Sequence, residues 1–111
     1  MTNIKPTRSN SSYVPLFSPG QIVATPAALC AMKAHGVDPM DLLLRHVCGD
    51  WGNVHPDDAA ANVPALTAGT RLLSSYALDT GAPNAGIRSA IVWIITGHNR
   101  ELTTFLLPED Y

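Results

Sequence analysis

The chain has 111 residues, a formal net charge of −2 and an apolar share of 46%. This length suits one domain that buries its core without disulfides or metal. No apolar run approaches the roughly 18–20 residues that cross a bilayer, and the N-terminus lacks the apolar stretch of a signal peptide, so we expect a cytoplasmic protein that binds no membrane.

A polar N-terminal tail precedes the predicted domain. Residues 1–16 are rich in Ser, Asn, Thr and Pro, a composition typical of a flexible segment, and we place the folded domain at 17–111. Without the tail, the chain has five basic and nine acidic residues, because Lys5 and Arg8 are removed. The resulting charge of −4 argues against non-specific nucleic-acid binding, which depends on clustered cations.

Three helix starts in the first half share one pattern, in which a residue able to cap is followed by proline. These pairs are Thr25-Pro26, Asp38-Pro39 and His55-Pro56. Gly36 and Gly49 are expected to end the first two helices. Pro64 is expected to kink or end the third, with residues 65–68 able to add a further turn.

The second half changes to a strand pattern. Residues 70–78, 89–96 and 102–107 are each predicted to form a strand, with a loop at 79–86 and a tight turn at 97–100. Short returns between successive strands predict an antiparallel meander. The fold class is therefore α+β, with N-terminal short helices packed on a C-terminal three-stranded antiparallel meander. The segment Gln21-Ile22-Val23-Ala24 can add a short N-terminal strand.

The stretch from Arg45 to His55 holds the densest set of titratable, aromatic and glycine residues in the chain. Its spacing of His46, Asp50 and His55 matches no standard zinc pattern, and the two cysteines form no C-x-x-C pair, so no metal or other cofactor is expected. A structural interpretation is favoured, in which Trp51 fills a junction between helices and sheet.

A catalytic interpretation of the same stretch remains open. A histidine that exchanges a proton near neutral pH, together with arginines that hold a phosphate, is sufficient for metal-independent RNA cleavage. The candidate catalytic residues are His46, Arg71, Arg100 and Asp50. The candidate binding residues are Arg45, Trp51, Ser74, Tyr76 and Thr96.

Several segments between Phe17 and Tyr111 resemble a family of small uncharacterised proteins from bacterial plasmids and integrative elements. The resemblance is carried by 17–25, Arg45-His46, 49–52, Asn62, 71–76, 93–96, Arg100 and 103–111. Its members are often labelled a restriction–modification methylation subunit. Such an enzyme needs a nucleotide-binding parallel sheet opened by a Gly-rich turn, and this chain has no such motif.

The resemblance and the acidic balance together favour a non-enzymatic accessory protein of a mobile genetic element that acts by binding a protein partner. The alternative is a small metal-independent ribonuclease or toxin-like nuclease that acts on RNA through His46, Arg71 and Arg100.

Overall fold

The computed structural model describes residues 14–78 and 90–111. The helices are α1 (Pro26–Ala34), α2 (Pro39–Val47) and α3 (Pro56–Ala68). The strands are β1 (Gln21–Ala24), β2 (Leu72–Ala77), β3 (Ile91–Thr96) and β4 (Leu102–Leu106). Short 3₁₀ turns occupy His98–Arg100 and Pro108–Asp110. No helix in the described ranges has the length and apolar character that crossing a membrane requires.

The sheet has four strands in the order β1-β4-β3-β2. Strands β2, β3 and β4 are antiparallel neighbours, whereas β1 runs parallel to β4. The α+β class is confirmed, but the three-stranded antiparallel meander is wrong as a description of the sheet. A four-residue strand whose partner lies at the other end of the sequence leaves no local pattern from which this pairing can be recognised.

Gly20 lets β1 reach its partner. Its φ is +68°, and a Cβ at this position would lie 2.4 Å from the carbonyl oxygen of Arg100. Only glycine accommodates both the left-handed backbone and the close approach. The chain therefore enters the sheet through a contact that a larger residue would block.

The three predicted helix starts are present. The side chains of Thr25, Asp38 and His55 each accept a backbone hydrogen bond from the first turn of their helix. Pro64 does not end the third helix, which continues to Ala68. Pro64 is exposed, so the carbonyl that loses a partner is on the solvent side of α3.

Helices α1 and α2 pack on one face of the sheet, here called the inner face. Together they bury the main core, whose residues are Ala28, Met32, Leu42, Leu43, Val47, Tyr76, Leu78, Val92, Ile94 and Phe105. Side chains alternate along strands, so the residues between the core positions point to the opposite side. This outer face carries Gln21 and Val23 of β1, Leu73, Ser75 and Ala77 of β2, Ile91, Trp93 and Ile95 of β3, and Leu102, Thr104 and Leu106 of β4.

The two edges of the sheet differ. On β2, Asn62 of α3 donates to the carbonyl of Leu73 (2.8 Å) and accepts from its amide (3.1 Å). The amide of Ser75 bonds to Trp51 and its carbonyl to Asn53, which closes the same edge further along. In the part of the chain that the structure describes, nothing pairs with the free side of β1.

The end of the predicted tail lies against α2, because the Leu16 amide donates to the Val47 carbonyl at 2.7 Å. The rest of the tail, residues 1–13, and the predicted loop 79–86 lie outside the described residues.

Candidate functional site

His46 lies in the last turn of α2 and faces the sheet with no solvent exposure. Its Nδ1 is 2.6 Å from the hydroxyl of Ser74, and its Nε2 is 2.9 Å from the hydroxyl of Thr96. Thr96 in turn lies 2.7 Å from Thr103, whose hydroxyl donates to the Pro19 carbonyl at 2.7 Å. Helix, three strands and the N-terminal segment thus meet in one buried polar chain.

The direction of these bonds fixes the tautomer of the imidazole. Thr103 has one hydroxyl proton and gives it to Pro19, so it accepts from Thr96. Thr96 has then used its own proton and accepts from the Nε2–H of His46. In the neutral ring Nδ1 has no proton, so it accepts from the hydroxyl of Ser74.

Burial keeps this ring neutral. Removal from water lowers the pKa of His46 to about 4, and the positive charge of Arg100 acts in the same direction. A neutral imidazole with both nitrogens bonded to hydroxyls is a satisfied core group. It has neither a free lone pair nor a charge with which to bind a substrate.

Two aromatic rings seal His46 from solvent. The ring of Phe17 meets it edge-on at 5.2 Å between centroids, and that of Trp51 does so at 5.9 Å. The guanidinium of Arg100 lies 5.5 Å from the centroid of Phe17. The N-terminal segment therefore covers the imidazole, and the half-buried Trp51 packs beside it.

Arg100 is bound to backbone carbonyls. One terminal nitrogen donates to Thr70 (2.6 Å) and Gly97 (3.3 Å), and the other donates to Ala65 of α3 at 2.6 Å. A cation that binds the free carbonyls at a helix C-terminus stabilises that end of the helix. Arg100 therefore joins α3 to the β3–β4 turn, whereas Arg71 is exposed at the start of β2.

A second group of predicted residues forms around Asp50. Its carboxylate accepts from Arg45 at 2.7 Å and from the Gly52 amide at 3.2 Å. The guanidinium of Arg45 lies 4.5 Å from the ring centroid of Tyr76, whose hydroxyl donates to the Asp50 carbonyl at 2.5 Å. The hydrogen bond from Arg45 lowers the pKa of Asp50, which makes it a weaker base.

The predicted site residues therefore separate into two groups. Ser74 and Thr96 join His46 in the buried chain, while the exposed Arg45 and the buried Tyr76 contact Asp50, which lies at the surface. In residues 14–78 and 90–111 no cluster of three His, Cys, Asp or Glu side chains is arranged to hold a metal. Both cysteines are free thiols.

Sequence reasoning missed the residues that complete the buried chain. Thr103 and Phe17 were not singled out as partners of His46. The signal for Thr103 was weak, because neither face of its strand has a clean polar or apolar pattern. Phe17 lies 29 positions before His46, and no spacing rule relates residues that far apart.

In the ranges that the structure describes, the outer face is an apolar side of the sheet on which neither α1 nor α2 packs. Among the described residues, α1 and α2 pack on the inner face and α3 contacts β2. Val23, Ile91 and Leu102 are 36%, 37% and 42% exposed. The ring of Tyr111 lies over part of this face, 5.7 Å from that of Trp93.

Comparison of this chain with protein-family models, with curated proteins and with solved structures finds no match.

Proposed function

We propose that this chain is a non-enzymatic protein that acts by binding a protein partner through the outer face of its sheet. One observation carries the proposal: apolar side chains of β1, β3 and β4 lie on a face over which the described chain places no helix. Exposed apolar side chains on a sheet face are a feature of protein interaction sites. Aromatic residues such as Trp93 and Tyr111 are enriched in such interfaces.

The ribonuclease alternative finds less support in the geometry. A general base must reach the proton that it removes, and His46 has no exposed surface. The terminal nitrogens of Arg100, one of the two arginines proposed to bind a phosphate, already donate to three carbonyls.

We place the binding role in a plasmid or integrative element, in line with the family resemblance. A small accessory protein of such an element can act on host factors or on the maintenance machinery of the element itself. Either role needs a specific surface rather than a catalytic centre.

Affinity capture from a lysate of the native host tests the binding proposal. The bait is the wild-type chain, a double variant with Ile91→Ser and Leu102→Ser, or the control Val63→Ser, whose side chain is 62% exposed on α3. We expect a partner that wild type and control retain and that the double variant loses. An identical set of captured proteins for all three baits contradicts the proposal.

Digestion of total RNA in EDTA tests the alternative. We expect no cleavage above that of a mock purification. Cleavage by wild type that His46→Gln abolishes, while circular dichroism shows the variant folded, would establish the nuclease and overturn the proposal that the protein is non-enzymatic.

A further inference from the structure

The geometry points to one class of partner: we infer that the free edge of β1 accepts an extended peptide strand with an apolar centre and basic ends. This inference rests on the proposed binding function and specifies the chemistry of the partner. Three features carry it, namely open backbone groups, apolar side chains on both sides of the strand, and acidic residues at both of its ends.

Within residues 14–78 and 90–111, no strand pairs with the side of β1 that faces away from β4. The Gln21 amide donates to Glu101 at 3.1 Å and the Thr25 amide donates to Phe105 at 2.9 Å, so these amides point towards β4. Successive residues of a strand direct their backbone groups to opposite edges. The amides and carbonyls of Ile22 and Ala24 therefore point away from β4, where an added strand can pair with them.

The side chains next to this edge are apolar on both faces of the sheet. Ile22 is 42% exposed and shares the inner face with Thr103, while Val23 is 36% exposed and shares the outer face with Thr104. A strand added beside β1 would bury part of both side chains. The centre of the partner strand is therefore apolar.

The ends of β1 are acidic. Glu101 lies beside its first residue, since its carbonyl accepts from the Gln21 amide. Asp110 lies beside the opposite end, where its carboxylate accepts from the Thr25 hydroxyl at 2.7 Å, and Glu109 precedes it in the same turn. Arg100, which precedes Glu101 in the chain, donates to backbone carbonyls.

The acidic residues at both ends of β1 favour a basic peptide over a second copy of the chain as the strand that pairs with this edge. Two copies that paired antiparallel through β1 would bring the acidic end of one against the acidic end of the other. Like charges that face each other across strands are destabilising, and charged edges oppose self-pairing. A strand with lysine or arginine at each end removes the repulsion and adds opposite-charge pairs.

Binding of a synthetic peptide tests the inference. The probe has a centre of valine and isoleucine, carries two lysines at each end and has a fluorescent label for anisotropy. We expect saturable binding that weakens as salt increases. A peptide with glutamates in place of the lysines, and one with N-methylated backbone amides, are each expected to bind at least about tenfold more weakly, because they lose charge pairing or strand pairing.

Charge reversal on the protein provides a matched control. The double variant Glu101→Lys with Glu109→Lys should bind the lysine peptide about tenfold more weakly than wild type and the glutamate peptide more tightly. Asp41→Lys with Asp57→Lys changes the net charge equally at exposed sites on α2 and α3, and it should leave both affinities within about twofold. Equal effects of the two double variants overturn the inference.

Mapping by ¹⁵N-edited NMR locates the peptide. We expect the largest shift changes at 21–24. Shift changes centred instead on the apolar cavity of about 460 Å³ between segment 15–19 and α2 overturn the inference. A dimer of the protein that Ile22→Pro dissociates overturns it as well, because the edge of β1 would then pair with a second copy. If no peptide binds while face-dependent capture of a partner persists, the inference fails and the proposed function stands.

Discussion

His46 is expected to make the fold sensitive to mild acid. Its pKa is about 4 in the folded chain, below the ordinary 6.5, because burial disfavours the charged ring. The unfolded chain therefore binds the proton more tightly. The stability from this group is complete above about pH 6.5 and is lost as the pH falls towards 4. At 1.36 kcal/mol per pKa unit, the loss is about 3 kcal/mol.

Urea unfolding of wild type and His46→Gln between pH 7 and pH 4 measures this loss. Glutamine retains one donor and one acceptor for the neighbouring hydroxyls but does not titrate. The variant should therefore be less stable than wild type at pH 7, and its free energy of unfolding should change little between pH 7 and pH 4. Asp50 and Asp110 have pKa values below 3.8 and therefore lose their contribution at lower pH. Parallel loss of stability in both proteins would refute the assignment of the pH dependence to His46.

Two further substitutions test the fold. Gly52→Ala should destabilise the chain by roughly 3 kcal/mol in urea unfolding, because its Cβ would lie 2.0 Å from the Ser75 carbonyl oxygen at a φ of +73°. Gly36→Ala, with a similar φ and open space around it, should cost only about 1 kcal/mol, and equal losses would count against the steric reason. Arg100→Met should cost about 1–3 kcal/mol by removing the hydrogen bonds that its charged guanidinium donates to Thr70, Gly97 and Ala65, whereas Arg71→Met should change stability by less than about 0.5 kcal/mol; the reverse order would contradict the structure.

The parts of the fold that follow local rules could be predicted from the sequence. The Thr-Pro and Asp-Pro pairs mark helix starts because a side-chain oxygen accepts a free amide within two or three residues. The strand boundaries agree with prediction to within a few residues for the same reason, since β-branched runs and turn residues act locally. The place of β1 in the sheet depends on distant contacts and could not be predicted in this way.

In the candidate site, too, local sequence identifies the residues, whereas distant contacts determine their environment. His46, Ser74 and Thr96 were identified as polar residues that could act together, and the structure brings them together. Whether His46, Ser74 and Thr96 are exposed depends on which other side chains pack over them. Phe17 packs on His46, and its position follows from the entry of the N-terminal segment into the sheet. The sequence therefore identifies the polar residues, but only their burial in the structure shows that they form a core network rather than an active site.

The parallel pairing of β1 with β4 has a consequence for synthesis on the ribosome. Gln21 pairs with Leu102, so 102 − 21 = 81 positions separate the partners. At about 5–20 residues per second of translation, β1 waits roughly 4–16 s before its partner is made. During that interval the apolar side chains of Ile22 and Val23 have no sheet to join. The nascent chain therefore leaves these two apolar side chains without their sheet until β4 is made.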